Sequence, residues 1–325
     1  MSEILALASA NLLSPIILSF VLGLFAAMAR SDLSIPEAVA KGMSIYLLFA
    51  IGFKGGASVA DHGVDASLLL SVGAGILLSF GLPLLAFALL KIFTKFSRLD
   101  AAAVAAHYGS ISIVTFVAAT SVLEGRAIAA EGYMVAVAAA MEAPAILSAL
   151  WLISRNGSSG RMEPGLMREI LLNGSIVLLV GSFVIGLMTG EKGLAEIAPF
   201  IVSPFKGVLC LFLLDMGLVA GRGLRQSKGV LGLGAVAFGL VMPLAGSIIG
   251  LAMGMMIGLS TGGVALLMVL AASASYIAVP AAMRVAMPEA NPVIYLTLSL
   301  GVTFPFNLTL GIPLYVAVAT QITGG

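Results

Sequence analysis

Two stretches of the sequence read almost alike: Gly109-Ser110-Ile111-Ser112-Ile113 and Ala272-Ser273-Ala274-Ser275-Tyr276-Ile277. Each places a Ser-x-Ser motif inside a long apolar run, and the first serines of the two motifs, Ser110 and Ser273, are 163 residues apart. A motif that recurs once in each half of a chain indicates two copies of one unit. In a membrane protein, such paired polar interruptions are typical of transporters, where both copies contribute to one site near the bilayer middle.

Two further pairs of motifs keep nearly the same spacing. Ile51-Gly52-Phe53 matches Met216-Gly217-Leu218, and Glu142-Ala143-Pro144 matches Thr303-Phe304-Pro305. The duplication therefore extends through both halves of the chain. We predict a first repeat over residues 1–154 and a second over 170–325, joined by a short Gly- and Ser-rich linker at 155–169.

The composition indicates a membrane protein. The sequence is 60% hydrophobic and only 10% charged, with a mean hydropathy of +1.15, whereas soluble domains carry about 25% charged residues. The single cysteine, Cys210, excludes a disulfide scaffold. No basic cluster with interleaved aromatic residues exists, so the sequence predicts no nucleic-acid partner.

Ten apolar segments, each of 17 to 30 residues and so long enough to span a membrane, follow from the charges, glycines and prolines that divide the chain. The predicted segments are 14–30, 36–58, 66–93, 99–122, 132–153, 170–190, 198–221, 229–257, 262–286 and 291–320. Lipid offers backbone groups no partner, so all ten are predicted to be helices, with segments four and nine discontinuous at their Ser-x-Ser motifs. The predicted class is an all-α polytopic membrane protein.

The distribution of basic residues predicts the orientation in the cell inner (plasma) membrane. With the amino terminus outside, all but four of the 16 basic residues lie in inside loops or at inner segment ends. The four exceptions are Lys54, Arg126, Lys192 and Lys206, and we expect Lys54 to extend to the membrane interface. Both termini are then non-cytoplasmic. Because each half has five segments, an odd number, the two repeats are predicted to be inverted.

The broken segments predict an anion site. A helix that begins inside the membrane directs unpaired N–H groups and the positive end of its dipole into one volume. The candidate substrate-binding residues are Gly109, Ser110, Ile111, Ser112, Ser273, Ala274, Ser275 and Tyr276. Such a site suits a small oxyanion without an arginine. Taken alone, small polar residues of this kind also serve close helix packing.

Glu142 is the leading candidate for a cation ligand. A carboxylate at bilayer depth is costly, by about 2.5–3.5 kcal/mol on insertion scales, and is therefore a functional candidate. Pro144 frees the carbonyl of Ala140, and oxygens of Ser112, Thr115 and Asn307 complete a set suited to Na⁺. A proton-carrying role and a structural role for Glu142 remain open, and Asn307 could instead bond across helices.

Other chemistries lack their residues. One cysteine and two distant histidines cannot supply a zinc site, and no nucleotide-binding motif is present. His107 and Ser110 share a helix face, but no third group orients them, which makes an intramembrane enzyme a poor alternative. Transport therefore has to be driven by an ion gradient, by the substrate's own gradient or by a partner.

These residues resemble the SbtA-type sodium-dependent bicarbonate transporter family nearly end to end. The resemblance is carried by Ile51–Gly56, Gly109–Glu124, Met141–Ala145 and the region from Pro280 to Tyr295. It implies ten helices in two inverted repeats, a core domain and a gate domain, and a homotrimer. It also implies an anion site between the broken fourth and ninth helices, with Na⁺ nearby.

The chain departs from the family pattern in two respects. Tyr276 stands where the family has an aspartate after its ninth-helix serines, which leaves the number of Na⁺ sites, or the coupling ion itself, open. A phenol there could also reshape the site for a larger anion. The long cytoplasmic insert of cyanobacterial members is absent, which weighs against a regulatory PII-like partner.

The sequence therefore predicts a secondary active transporter in the lipid bilayer that imports a small anion by alternating access. The favoured cargo is bicarbonate and the favoured coupling ion is Na⁺, which is not a tightly bound cofactor. The alternative within transport is a Na⁺- or H⁺-coupled symporter of a small organic anion, such as a monocarboxylate.

Overall fold

A computed structural model describes residues 13–62, 66–154, 172, 174–226, 231–277, 279–280, 282–283 and 287–324. The predicted linker at 155–169 lies outside them. Within these residues the chain is helical and has no strand, which confirms the predicted all-α class. The first half contains α1 (Pro15–Met28), α2 (Glu37–His62), α3 (Ala66–Phe93), α4 (Arg98–Gly109), α5 (Ile113–Gly125), α6 (Met134–Ala140) and α7 (Pro144–Ser154).

The second half contains α8 (Gly174–Ile201), α9 (Phe205–Gln226), α10 (Leu233–Ile257), α11 (Thr261–Ala272) and α12 (Pro292–Thr323), the last with π-helical turns. Among the described residues, 8 helical stretches are long and apolar enough to cross a membrane by length and composition. In that count α4 and α5 form one stretch, and α6 and α7 another. Two shorter apolar helices, α1 and α11, stand where segments one and nine were predicted.

One predicted boundary is wrong. The sequence predicts a connector between 190 and 198, but α8 continues to Ile201 and α9 begins only at Phe205. Gly190 has φ +59° inside α8, a conformation that glycine adopts without steric cost. The chain therefore changes direction at a single residue, and the residues that follow resume a helix instead of forming a loop.

Large apolar side chains cover much of the outside of the molecule. The outer helices expose residues such as Leu22, Leu77, Met188 and Met256, as expected of a surface that meets lipid. Within the stretch Arg98–Gly125, which contains α4 and α5, a window of 18 residues is instead wholly buried. The broken fourth segment is therefore enclosed by the other helices, away from lipid.

Two outer helix pairs join the halves of the chain through glycines. Gly217 of α9 packs so closely on α1 that a methyl group there would overlap the carbonyl of Phe20. Gly186 of α8 packs on α2 in the same way, against the carbonyl of Phe53. Small residues let helix backbones approach closely where no hydrophobic force drives association in lipid. Each pair thus links a helix of one half to a helix of the other.

The helices beside the two breaks are held by contacts of the same kind. Gly109, the last residue of α4, packs against the Pro83 ring and the Ser79 carbonyl of α3. In the second half, Gly246 of α10 packs against the carbonyl of Ala271 near the end of α11. The small residue lies on the broken helix in the first half and on its neighbour in the second. Both arrangements bring an unbroken helix against the point of the break.

Gly217→Ala is expected to lower stability by about 1–3 kcal/mol, because the added methyl group meets backbone atoms that cannot move aside alone. Gly73→Ala in the middle of α3 is the matched control, since nothing lies within 4 Å of an added methyl group there, and it should be neutral or slightly stabilising. Thermal unfolding of both variants in detergent measures the difference. Equal midpoints for the two variants would contradict the packing argument.

Candidate functional site

The break in the fourth segment is built by Ser112. After α4 ends at Gly109, Ser110 and Ser112 adopt extended backbone conformations, and α5 begins at Ile113. The Ser112 hydroxyl accepts a hydrogen bond from the Thr115 amide at 3.2 Å and one from the Thr115 hydroxyl at 2.9 Å. Serine at this position satisfies one of the amides that a helix start leaves unpaired. The sequence therefore starts a new helix in the buried interior of the protein.

The ninth segment breaks at the matching place. Helix α11 ends at Ala272, and Ser273 is extended. The Ser273 hydroxyl donates to the Leu270 carbonyl at 2.9 Å, and the Asn307 side-chain amide donates to the Ala272 carbonyl at 2.8 Å. These bonds satisfy carbonyl groups that the helix end leaves without intrahelical partners. Residues 273–277 follow without helical structure, and the second helix start expected just beyond them falls partly outside the described residues.

Reciprocal hydrogen bonds join the two breaks, and we call the place where residues 107–112 meet residues 273–275 the junction. The Ser112 amide donates to the Ser273 hydroxyl at 2.9 Å, and the Ser275 amide donates to the His107 carbonyl at 2.8 Å. The His107 Nδ1 lies 2.5 Å from the Ser275 carbonyl oxygen, which only accepts, so the hydrogen-bond network assigns the ring proton to Nδ1. The same ring stacks on Tyr295 at 4.6 Å between centroids.

Polar groups without partners surround a small cavity at this junction. The cavity is about 10 Å³, about the room that one water molecule needs, and is lined by Ile111, Ser112, Ile113, Glu142, Ser275, Tyr276 and Ile277. Within the described part of the chain, the Glu142 Oε2, the Tyr276 hydroxyl and the adjacent Ser110 hydroxyl are buried without a hydrogen bond. Orphaned buried polar groups are costly, so this cluster is suited to a polar ligand.

Glu142 lies at a third interruption, between α6 and α7. Residues 141–143 form a turn, and Ser79 of α3 bridges it by donating to the Met141 carbonyl at 2.5 Å and accepting from the Ala145 amide at 3.1 Å. The bridge holds the Glu142 backbone beside the cavity. Sequence reasoning missed Ser79, because only the contact between α3 and this turn reveals its role.

The remaining predicted ligands have defined places. Thr115 stands next to Ser112 in the first turn of α5, and Ala274 is buried between the two serines of the ninth segment. Asn307 is engaged at both ends of its amide, since its Oδ1 also accepts from the Tyr315 hydroxyl at 2.9 Å. Asn307 therefore bonds across helices in this conformation. No group of three His, Cys, Asp or Glu side chains suited to a transition metal occurs among the residues the structure describes.

Lys54 forms an ion pair that the sequence did not predict, and its extension to the membrane interface stays a prediction. Its ammonium group lies 2.6 Å from Glu124 Oε1, and the two side chains are 30% and 41% exposed. A partly exposed ion pair of this kind contributes about 0–1 kcal/mol. Its relevance is positional, since it joins α2 to the far end of α5.

The fold and the buried junction define a polytopic membrane protein with a polar centre, which is the architecture of secondary transporters. A family model for the Na⁺-dependent bicarbonate transporter superfamily matches residues 15–320. The chain belongs to this superfamily, and it is a multi-pass membrane transporter and not an enzyme. Membership implies Na⁺ as the coupling ion. No curated protein matches the chain.

His107→Phe is expected to destabilise the junction by about 1–3 kcal/mol, because the buried Ser275 carbonyl loses its side-chain donor. His107→Asn keeps a donor at the corresponding side-chain position and should recover most of that loss. Thermal unfolding of the two variants provides the measurement. If Phe, which keeps an aromatic ring beside Tyr295, were less destabilising than Asn, the ring volume and its stacking would matter, and the hydrogen bond would not.

Proposed function

We propose that this protein imports bicarbonate together with Na⁺ by alternating access. The observation that carries the proposal is the meeting of two interrupted membrane segments in the buried interior, with unpaired hydroxyls and a carboxylate around them. The superfamily supplies the class of transport. The residues at the junction support the particular pairing of a small anion with a hard cation.

The anion is proposed to bind at the start of α5. The amides of Ile113 and Val114 lie in the first helical turn and have no intrahelical acceptor, and the helix dipole favours negative charge there. The remaining residues of the proposed site are Gly109, Ser110, Ile111, Ser112, Ser273, Ala274, Ser275 and Tyr276. The buried hydroxyls of Ser110 and Tyr276 supply further donors for bicarbonate oxygens. Gly109 acts indirectly, since its contact with Pro83 positions the break.

The cation is proposed to bind at the same junction, beside the anion. Helices α4 and α11 both end there, and helix ends expose carbonyl oxygens and the negative end of the dipole. Glu142, Ser112 and Thr115 would add a carboxylate and two hydroxyl oxygens, the hard ligands that Na⁺ prefers. Asn307 would position the Ala272 carbonyl, to which it donates, and could contact the ion only after releasing its present bonds.

Matched contacts in the two halves support ten spans in two inverted repeats, over residues 1–154 and 170–325. Glu131 accepts from the Ser260 amide and hydroxyl at 2.7 and 2.9 Å, at the start of α11. In the other half, Asp100 near the start of α4 accepts from the Asn291 amide at 2.8 Å, at the start of α12. In both cases a carboxylate joins the start of one broken helix to the start of the helix that follows the other broken helix in the chain.

The packing supports a division into a core and a gate. Helices α1, α2, α8 and α9 form the two glycine-linked pairs, and the other helices surround the junction. The site cavity is too small for the four heavy atoms of bicarbonate, so binding and release require the core to move against the gate. The Lys54–Glu124 pair crosses from one to the other and would have to rearrange if α5 slides along α2.

Three further expectations belong to the proposal. The homotrimer rests on the family resemblance. The non-cytoplasmic termini rest on the distribution of basic residues, and the inner (plasma) membrane is the location proposed with them. A PII-like regulatory partner is not proposed. A small organic anion remains the alternative cargo, and the bulk of Tyr276 beside so small a cavity favours the smaller ion.

Uptake of radiolabelled bicarbonate into proteoliposomes tests the function. An inward Na⁺ gradient is expected to increase initial uptake severalfold over an equal K⁺ gradient, at alkaline pH where little CO₂ is present to cross the bilayer unaided. A monocarboxylate in excess should not compete. Uptake of labelled acetate or pyruvate under the same gradient, without uptake of bicarbonate, would assign the protein to organic anions.

Glu142→Gln is expected to raise the Na⁺ concentration for half-maximal uptake at least tenfold, because interactions of charged groups are worth about 1.5–3 kcal/mol. The amide keeps the size of the side chain, so the variant should fold. Glu289→Gln makes the same change at an exposed site and serves as the control. Unchanged Na⁺ dependence in folded Glu142→Gln would remove Glu142 from the ion site.

A further inference from the structure

A second cavity lies at the far end of the broken fourth helix, and no step proposed above uses it. Its volume is about 340 Å³. The polar residues in its lining are Ser14, Ser121, Arg126, Lys206 and Cys210, and we call it the basic cavity. Ser121 lies nine residues after Ser112 along the fourth segment, which places the cavity about 13 Å from the junction at 1.5 Å per residue.

The two cations of the basic cavity have no anionic partner in the described part of the chain. The ion pair found there, Lys54–Glu124, involves neither Arg126 nor Lys206. Arg126 follows the end of α5, where a positive charge complements the helix dipole. Burial lowers the pKa of the Arg126 guanidinium, which indicates that this charge is partly removed from water. An anion close by would offset that cost.

Lys206 lies at the positive end of a helix dipole, where a positive charge is unfavourable. It is the second residue of α9, and the first turn of that helix contains no acidic side chain. A cation at a helix start is unfavourable, whereas an anion there is stabilised. Helix capping explains Arg126, but it cannot explain a lysine at this position. The combination of both charges around one concavity is the arrangement expected for holding a negative ligand.

Ser121 provides a hydroxyl without a partner at the same place. Its side chain is 4% exposed, and its Oγ makes no hydrogen bond to any described residue. Serine and threonine inside helices commonly donate to the carbonyl four residues earlier, as the neighbouring Thr120 does to the Phe116 carbonyl at 3.0 Å. Ser121 does not, and it lines the cavity instead.

We propose that the basic cavity is an oxyanion-binding site, separate from the junction, in which Arg126, Lys206 and Ser121 hold one small anionic group. The recognised chemistry is a singly charged oxyanion, which is shared by free bicarbonate and by the phosphate of an anionic lipid. Two opposed cations concentrate such groups and raise their rate of capture. The inference does not depend on what the junction transports.

Cys210 allows the site to be tested in the native chain. It is the sequence's one cysteine, it lines the basic cavity, and it lies four residues after Lys206 on the same helix face. Labelling rates are compared for an anionic sulfonatoethyl and a cationic trimethylammonium-ethyl methanethiosulfonate. Both reagents react with the thiolate, so the amount of thiolate cancels when the anionic rate is divided by the cationic rate. The ratio therefore reports the electrostatic potential in the cavity.

In purified protein, Cys210 is expected to react faster with the anionic reagent than with the cationic one. The double substitution Arg126→Gln and Lys206→Gln should reduce the ratio of the anionic to the cationic labelling rate about tenfold. Lys192→Gln removes an outer charge from α8, away from this cavity, and should leave the ratio unchanged. Ser14→Cys in a Cys210→Ala background places a second reporter in the same cavity, in case the native thiol reacts slowly. A ratio that is insensitive to the double substitution at both reporters would overturn the proposal.

Protection by ligands identifies the source of the anion. In phosphatidylcholine nanodiscs, sodium bicarbonate should slow labelling relative to sodium gluconate at equal ionic strength, a comparison that removes general screening. Ser121→Ala should weaken this protection, and Ser275→Ala at the junction should not. Protection that appears only with phosphatidylglycerol would identify a lipid phosphate as the occupant. If neither bicarbonate nor phosphatidylglycerol protected either reporter, the cavity would not be an oxyanion site.

Discussion

The hydrogen bonds between the two chain breaks are the constraint on which the rest of the structure depends. A helix interrupted inside a membrane leaves amides and carbonyls that lipid cannot satisfy, at a cost of several kcal/mol for each group. Here Ser112 donates to Ser273, and His107 exchanges two bonds with Ser275. Neither break is satisfied without the other, so the two halves of the chain have to meet at this point. The polar site is a direct consequence of that pairing.

Close packing by small residues makes the meeting possible. Gly109 admits the Pro83 ring, and Gly246 admits the carbonyl of Ala271, so each break is supported by an unbroken neighbour. In lipid such contacts replace the hydrophobic driving force of soluble proteins. The wholly buried window within Arg98–Gly125 is the part of the chain that carries His107, Ser112 and Thr115.

Much of this arrangement follows from the sequence. The repeated Ser-x-Ser motifs predicted both breaks and their proximity, because a serine between apolar runs both starts a helix and bonds across to another. The bridge from Ser79 to the Glu142 turn and the bond from His107 to Ser275 did not follow. Both depend on how a helix is rotated about its axis, which hydropathy does not determine. The helix after Gly190 was missed because one positive-φ residue replaced an expected loop.

The two halves of the chain carry different residues at one position that the sequence motifs match, and the two side chains differ in how completely they are hydrogen-bonded. Thr303 stands where the first half has Glu142. Its hydroxyl donates to the Gly239 carbonyl at 2.7 Å and therefore accepts from the Tyr108 hydroxyl at 2.6 Å, so the Thr303 and Tyr108 hydroxyls are paired within the protein. Glu142, by contrast, keeps an oxygen beside the cavity that no described residue pairs with. A satisfied network rigidifies its surroundings, and an unsatisfied carboxylate requires a ligand or a proton. In the proposed function, the half that contains Thr303 holds the junction in shape, while the half that contains Glu142 presents the group that an ion can bind.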